Sequence, residues 1–417
     1  MTPSGYLPRI ADSLVAACLE ANPIVVVEGA KGCGKTWTGM HHARSQVLLA
    51  DTPTARMQAE TLPRRVLDGP RPRLVDEWTI VPSIWNAAKH VVDESRDNGR
   101  FILTGSSLPA DDITRHSGAG RVGRVRMRPM SLAESGESTA EISMRNLFAG
   151  DACDAGESNV SIPDLAESLC RGGWPRNLER STSAAQEHLD SYLEEMTRIE
   201  IPGKTTRHNP RRVRRLLVSL ARNVSTSASL TTLSADVAGE PPLSWPTTAN
   251  YMDELERLFL VEDLPAWATR TRSRAKLRKS PKRHFVDPSL AVALLGANSE
   301  RLQDDLEAMG LLFESLVIRD LRIYADANRA EVYHYKDSYE NELDAVVERR
   351  DGRWIAVEVK LGLTRLDEAA ASLSRACDSI DAGPRGNPAK KVIITGHGYS
   401  YERSDGVAVI PVTTLGP

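Results

Sequence analysis

A glycine-rich loop that ends in lysine and a hydroxyl residue is suited to wrapping phosphate, and this chain has one. Gly29-Ala30-Lys31-Gly32-Cys33-Gly34-Lys35-Thr36 satisfies G-x-x-x-x-G-K-[ST]. Its glycines let backbone N–H groups turn toward phosphate oxygens, and a following helix adds positive potential at its N-terminus. In that setting Lys35 reaches the β- and γ-phosphates and Thr36 ligates Mg²⁺. Cys33 lies inside the loop. Its plain role is a small side chain turned away from the ligand. The alternative is a thiol made oxidation-sensitive by the loop amides and Lys35.

A second strand should supply an acid. Arg73-Leu74-Val75-Asp76-Glu77 is a short apolar run ending in two carboxylates. Asp76 would hold Mg²⁺, directly or through water, and Glu77 would polarise an attacking water. The plainer alternative for the pair is a solvated helix N-terminus. Phe101-Ile102-Leu103-Thr104-Gly105-Ser106-Ser107 reads as the next strand. Thr104 or Ser106 would sense the γ-phosphate through that water, or the hydroxyls merely turn the chain. Arg115, Arg121, Arg124, Arg126 and Arg128 follow. One of them would neutralise transition-state charge, in its own subunit or a neighbour's; a solvated basic strand is the alternative.

A further set of charged residues lies near the C-terminus. Two strand-like runs, Leu343–Glu348 and Arg353–Val359, flank a turn. With a three-residue loop, Arg350-Asp351-Gly352, Asp344 faces Glu358 and Glu342 faces Lys360. Alternation puts all four on one face, and Leu343, Ala345, Val347, Ile355, Val357 and Val359 on the other, to be buried. A two-residue loop would separate Asp344 from Glu358. Asp…Glu-x-Lys on adjacent strands can hold Mg²⁺ or Mn²⁺ while the lysine orients water. Glu314, in the amphipathic run Leu306–Ile323, would be the third carboxylate. The plain alternative is a hairpin with cross-strand ion pairs such as Glu342–Lys360.

The elements that must position these groups follow from periodicity. Residues 1–135 alternate short apolar runs (Ile24–Val27, Val47–Leu49, Leu74–Val75, Phe101–Leu103) with helical patterns, which predicts an α/β domain with a parallel sheet. Residues 136–160 are rich in Ser, Glu, Gly and Asp and read as a linker. Residues 161–300 are mostly helical. Within them helices are expected over Arg211–Asn223, Leu230–Val237 and Thr247–Phe259, followed by a basic strand pair, which suggests a winged helix. Gly172-Gly173-Trp174-Pro175-Arg176 reads as a tight turn with an aromatic plug. The stretch 270–283 holds Arg270, Arg272, Arg274, Lys276, Arg278, Lys279, Lys282 and Arg283 without an acid, a strip that could track a nucleic-acid backbone. Residues 301–417 predict a helix (302–326), a strand (330–335), the hairpin, a helix (365–380) and strands at 391–395 and 407–412.

Composition narrows the class. The chain has 417 residues, 41% hydrophobic and 26% charged, with formal net charge −3. That is ordinary globular composition for several domains. The five cysteines show no C-x-x-C spacing and the histidines no H-E-x-x-H, which predicts neither a disulfide framework nor a structural metal. No apolar run reaches about 18 residues, and the start lacks a signal-peptide pattern. A cytoplasmic protein with no membrane span is expected.

Three further pieces, His116-Ser117-Gly118-Ala119-Gly120-Arg121, Glu28 with Trp37 around the loop, and Arg128-Pro129-Met130-Ser131-Leu132, complete an ordered set. Together the motifs resemble the prokaryotic AAA-superfamily ATPases that carry a C-terminal domain of unknown function with a restriction-endonuclease-like core. The resemblance covers nearly the whole chain. It implies a P-loop ATPase with ATP and Mg²⁺ as cofactors, a middle region, and a nuclease-like α/β domain over 301–417. It favours Arg121 among the arginines. Two functions fit it: an ATPase coupled to nucleic-acid binding or cutting, or a nucleotide-dependent switch that binds a protein partner and whose nuclease-like domain is inactive. A homo-oligomer is compatible with either.

Overall fold

The computed structural model describes residues 3–107, 119–154, 156–198, 209–237, 243–269 and 280–417. These form two compact units. The first holds most of residues 1–129 and the stretch 253–260; the second holds 130–198 and most of 208–252 and 261–417.

The first unit is built on five parallel strands: β1 (Ile24–Gly29), β2 (Ser45–Leu48), β3 (Arg73–Asp76), β4 (Phe101–Gly105) and β5 (Val122–Met127). Their order is β2-β3-β4-β1-β5. Ile24, Val25, Val26 and Val27 are all buried, as are Phe101, Ile102 and Leu103. Continuous apolar runs mark strands covered on both faces, the usual state of parallel sheets. Ile84, Trp85 and Val92 of the helix Ser83–Asp93 pack with Trp78 into one such layer. The phosphate-loop helix, Lys35–His42, follows β1 directly.

Residues 136–160 are not a bare linker. Ile142, Met144, Leu147 and Phe148 are buried, β6 (Ile142–Ser143) pairs with β15 (Leu415–Gly416), and β7 (Glu157–Ser158) pairs with β12 (Gly398–Tyr399). Polar composition concealed four apolar anchors. Most of 161–300 lies in the second unit with 301–417, and 253–260 lies in the first. The turn at Gly172 is held from residue 287: Gly173 N–H donates to Asp287 Oδ2 at 3.0 Å, and Arg319 Nη1 reaches the same oxygen at 2.8 Å. Trp174 is buried, its indole N–H on Ser289 Oγ.

The unit's main sheet runs β13-β14-β11-β10-β9-β8. It comprises β8 (Ala330–Lys336), β9 (Glu342–Arg349), β10 (Trp354–Lys360), β11 (Lys390–Thr395), β13 (Tyr401–Glu402) and β14 (Val407–Pro411). The helix Leu306–Ala327 precedes β8, and the helix Leu366–Ser379 makes the crossover between the parallel strands β10 and β11. The hairpin register is the expected one: Trp354 opposes Glu348 and Val357 opposes Ala345. Gly352 at φ 87° makes the three-residue loop possible. Burial, however, is two-sided. Val346, Trp354 and Ala356 pack against Leu373 and Ala376 of the crossover helix, while Ala345, Val347, Ile355 and Val357 are buried on the opposite face. The sheet is thus a covered layer, and Asp344 and Glu358 stand at the end of its core.

In the middle of the chain the three expected helices are present, as Pro210–Arg222, Leu230–Asp236 and Trp245–Arg257. Val261 and Leu264 bridge in antiparallel fashion to Phe285 and Lys282. The cations Arg270, Arg272, Arg274, Lys276, Arg278 and Lys279 lie outside the described residues.

Candidate functional site

The phosphate loop leaves β1 at its C-terminal edge, where the positive end of the next helix faces it. Gly29 is required there by close approach: a Cβ would sit 2.0 Å from the Met127 carbonyl oxygen. Lys35 is buried, and its Nζ donates to Ala30 O at 2.8 Å. Cys33 is fully buried with its thiol directed to Met127 O. Arg9 also bonds this loop, through Nη1 to Cys33 O at 2.7 Å and Nη2 to Arg128 O at 2.8 Å. No spacing rule singles out Arg9, so sequence reasoning passed over it.

The strand ends bring the acids to the loop's hydroxyl. Thr36 Oγ1 donates to Asp76 Oδ1 at 2.8 Å, and Thr104 Oγ1 donates to the same oxygen at 2.5 Å. Burial pushes the Asp76 carboxyl up, and the two hydroxyl donors counter it. Glu77 N–H rests on Thr104 Oγ1 at 3.3 Å. Ser106 grips the Glu77 carboxylate through its hydroxyl at 2.5 Å and its N–H at 3.3 Å. Glu77 takes φ 52°, a left-handed backbone that costs a non-glycine residue energy and concentrates at functional sites. Thr36, Asp76, Glu77, Thr104 and Ser106 are therefore one hydrogen-bonded cluster at the C-terminal edge of β3 and β4.

Arg121 is not part of it. Ile24 N–H donates to Arg121 O at 3.1 Å, which fixes Arg121 at the start of β1. Five strand residues separate that edge from Gly29, about 16 Å at 3.3 Å per residue. Its guanidinium is paired instead with Asp93. In this geometry Arg121 lies at the opposite strand edge from the phosphate loop. The arginines near the loop edge are Arg126, in register with Glu28, and Arg128 just beyond. Arg115 lies outside the described residues.

Around the loop helix, Asp12, His41 and His42 come within 4.8 Å of one another. The Asp12 carboxylate is already engaged by Tyr6 Oη, Arg9 N–H and His42 Nε2. These contacts tie Ala11–Ala21 to the helix that begins with Lys35.

The C-terminal carboxylates do converge, but around a lysine. Lys282 Nζ lies 2.9 Å from Glu314, 2.9 Å from Glu342 and 3.3 Å from Asp344. Burial opposes its charge, yet the carboxylates outweigh that and hold the ammonium protonated. Lys282 thus belongs to no solvated basic strip, and neither does Arg283, which is buried against Asp263. The paired ladder ends at Val357, and Asp344 Oδ2 accepts from Val359 N–H at 2.8 Å. Lys360 pairs with Glu358 at 2.7 Å, so the expected Glu342–Lys360 contact is replaced by Glu342–Lys282 and Glu358–Lys360. Glu314, Glu342, Asp344 and Glu358 share two ammonium groups. Burial and the Asp344 charge consequently push Glu314 up to about 8 and Glu358 up to about 7.

Comparison with known proteins agrees in part with this geometry. Residues 21–136 match the family described as AAA domain. Residues 162–301 and 309–415 match two families described as domains of unknown function, DUF8612 and DUF4143. No curated protein matches the chain. Among solved structures it is similar to a Walker-type ATPase of Pyrococcus abyssi, at 15% identity and TM-score 0.42 over 70% of this chain and 97% of that one. It is also similar to AMPPCP-bound DnaA from Aquifex aeolicus, at 16% identity and TM-score 0.27 over 60% and 88%. A DNA replication initiation factor is similar at 12% identity and TM-score 0.25 over 59% and 86%. The chain therefore contains an AAA-type, ATP-binding domain. No helix among the described residues is long and apolar enough to cross a membrane.

A carboxyl raised in the folded state holds its proton more tightly folded than unfolded. Its stabilising contribution is present at low pH and is lost as pH rises through the folded value. For Glu358 that window runs from 4.5 to about 7. Stability by urea unfolding should thus fall between pH 4.5 and about 7, and Glu358→Gln should flatten the fall. An undiminished fall in the variant would contradict the assignment.

Proposed function

We propose that the chain is an Mg²⁺-dependent ATP hydrolase whose nucleotide cycle controls a second, nucleic-acid-binding unit. The observation that carries the hydrolase reading is the cluster Thr36–Asp76–Thr104 joined to Glu77–Ser106. Hydroxyl and carboxylate oxygens are the donors that Mg²⁺ prefers, and here they already share one oxygen of Asp76. Bound Mg²⁺ would offset the charge of the β- and γ-phosphates. The loop amides at Gly29–Thr36 would cradle the phosphates, with Lys35 moving from Ala30 O onto them. Glu77 would accept the proton of the attacking water at a carboxylate oxygen, and Ser106 would keep that carboxylate aimed. Thr104, touching both Asp76 and the Glu77 backbone, would report the state of the γ-phosphate. An arginine completing the charge would come from Arg126 or Arg128, or from Arg121 of a neighbouring copy.

For the C-terminal region, the order of helix, strand, hairpin, crossover helix and two strands supports a restriction-endonuclease-like fold. The position of Lys282 favours a domain of that fold that binds without cutting. Its ammonium supplies the positive charge that a divalent ion would otherwise bring to Glu314 and Asp344. Lys360 is likewise engaged by Glu358 rather than directed at a water. The domain then serves to bind and transmit, and nucleotide hydrolysis is the chemistry.

Two outcomes are expected. Lys35→Ala should abolish ATP turnover in a phosphate-release assay; wild-type-like hydrolysis would sink the phosphate-loop assignment. The purified chain should leave single-stranded, duplex and branched DNA uncut with Mg²⁺ or Mn²⁺. Cleavage that disappears in Asp344→Ala would overturn the non-cutting reading.

A further inference from the structure

The helix Pro210–Arg222 has one apolar and one cationic side. Val213, Leu216, Leu217 and Leu220 are buried, whereas Arg211, Arg214, Arg215 and Arg222 are exposed. The four arginines, with Val218, Ser219 and Asp236, line a groove of about 530 Å³. Positions 211, 215, 218 and 222 fall on one stripe of the helix, about 16 Å long at 1.5 Å per residue. Among the described residues none of the four guanidiniums forms an ion pair. The groove's one carboxylate, Asp236, is engaged by Ser219 Oγ at 2.9 Å and Asn223 Nδ2 at 3.2 Å. Asp190, on the helix Thr182–Arg198, feels the charge of Arg214 without pairing to it.

Like charges at i, i+4 destabilise a helix. The row from Arg211 to Arg215 is thus unfavourable for folding unless an anion shares it. The cations are all arginine, whose planar fork donates two parallel hydrogen bonds to a phosphate group. We propose that this groove binds the phosphodiester backbone of nucleic acid. One strand of duplex presents a phosphate every 3.4 Å or so of axis, so the stripe faces about five of them. Such contacts fix position and read no bases, which predicts binding without sequence preference. A concave wall that includes Asp236 suits a single line of phosphates better than a plane of lipid headgroups. The groove is separate in sequence from the stretch 270–283. The proposal rests on the preceding subsection only for its class of partner.

The test is fluorescence anisotropy with the full chain, using labelled single-stranded and duplex DNA of two unrelated sequences across a salt series. Two variants are compared with wild type: Arg214→Glu with Arg215→Glu, and Arg211→Ala with Arg222→Ala. ATP hydrolysis without DNA reports that each is folded. Wild type should bind both sequences alike. The variants should bind on the order of ten-fold or more weakly at about 0.1 M salt, with a salt slope shallower by roughly two. Undiminished binding in both variants would overturn the groove while leaving the nucleic-acid reading intact. Wild type that binds neither DNA would overturn the partner class itself. Variants that lose only binding to phosphatidylserine vesicles would assign the groove to membranes and overturn the proposal.

Discussion

One carboxylate oxygen organises the amino-terminal unit. Asp76 Oδ1 receives hydrogen bonds from Thr36, at the start of the loop helix, and from Thr104, at the end of β4. The loop, β3 and β4 are thereby held at fixed distances around a buried acid. Burial alone would push that acid toward its neutral form; the hydroxyl donors resist this. Everything else at the site is placed relative to this joint. Glu77 follows Asp76 directly, its N–H is anchored on Thr104, and its carboxylate is gripped by Ser106. A change in the contacts of Thr36 therefore reaches Glu77 through three hydrogen bonds, by way of Asp76 and Thr104.

The second unit solves a different electrostatic problem. Its sheet is covered on both faces, so carboxylates at the end of the core sit in poor solvent. Glu314, Asp344 and Glu358 remain there, beside the more exposed Glu342, because Lys282 and Lys360 share their charge. Removing one partner from such a buried cluster typically costs about 3–5 kcal/mol, because it leaves a charge uncompensated. The same arrangement that keeps the acids folded occupies the donors a metal would need. Stability and metal-dependent chemistry compete for the same oxygens, and here the internal ammonium holds them.

The legible parts of the sequence were those fixed by local spacing. The Gly29–Thr36 loop needs only its own residues, and the hairpin register follows from Gly352 and alternation. Side-chain destinations over long range were not legible. Lys282 in a run of cations looks the same whether solvated or buried; only the fold brings Glu314 and Asp344 to it. Arg121 was favoured through a motif resemblance; strand order and direction put it at the edge of the sheet opposite the loop. Residues 136–160 looked like a linker because Ile142, Met144, Leu147 and Phe148 are few among polar neighbours. The arginine side of Pro210–Arg222 was present in the sequence yet overshadowed by its apolar periodicity.

The most direct measurement is paired ATP binding and single-turnover hydrolysis by a Glu77→Gln variant. If Glu77 receives the proton of the attacking water, the variant should bind ATP as wild type does while its hydrolysis rate falls by at least about 10²-fold, the usual scale of general-base loss. Wild-type rates of hydrolysis with intact binding would contradict the proposed chemistry at the end of β3.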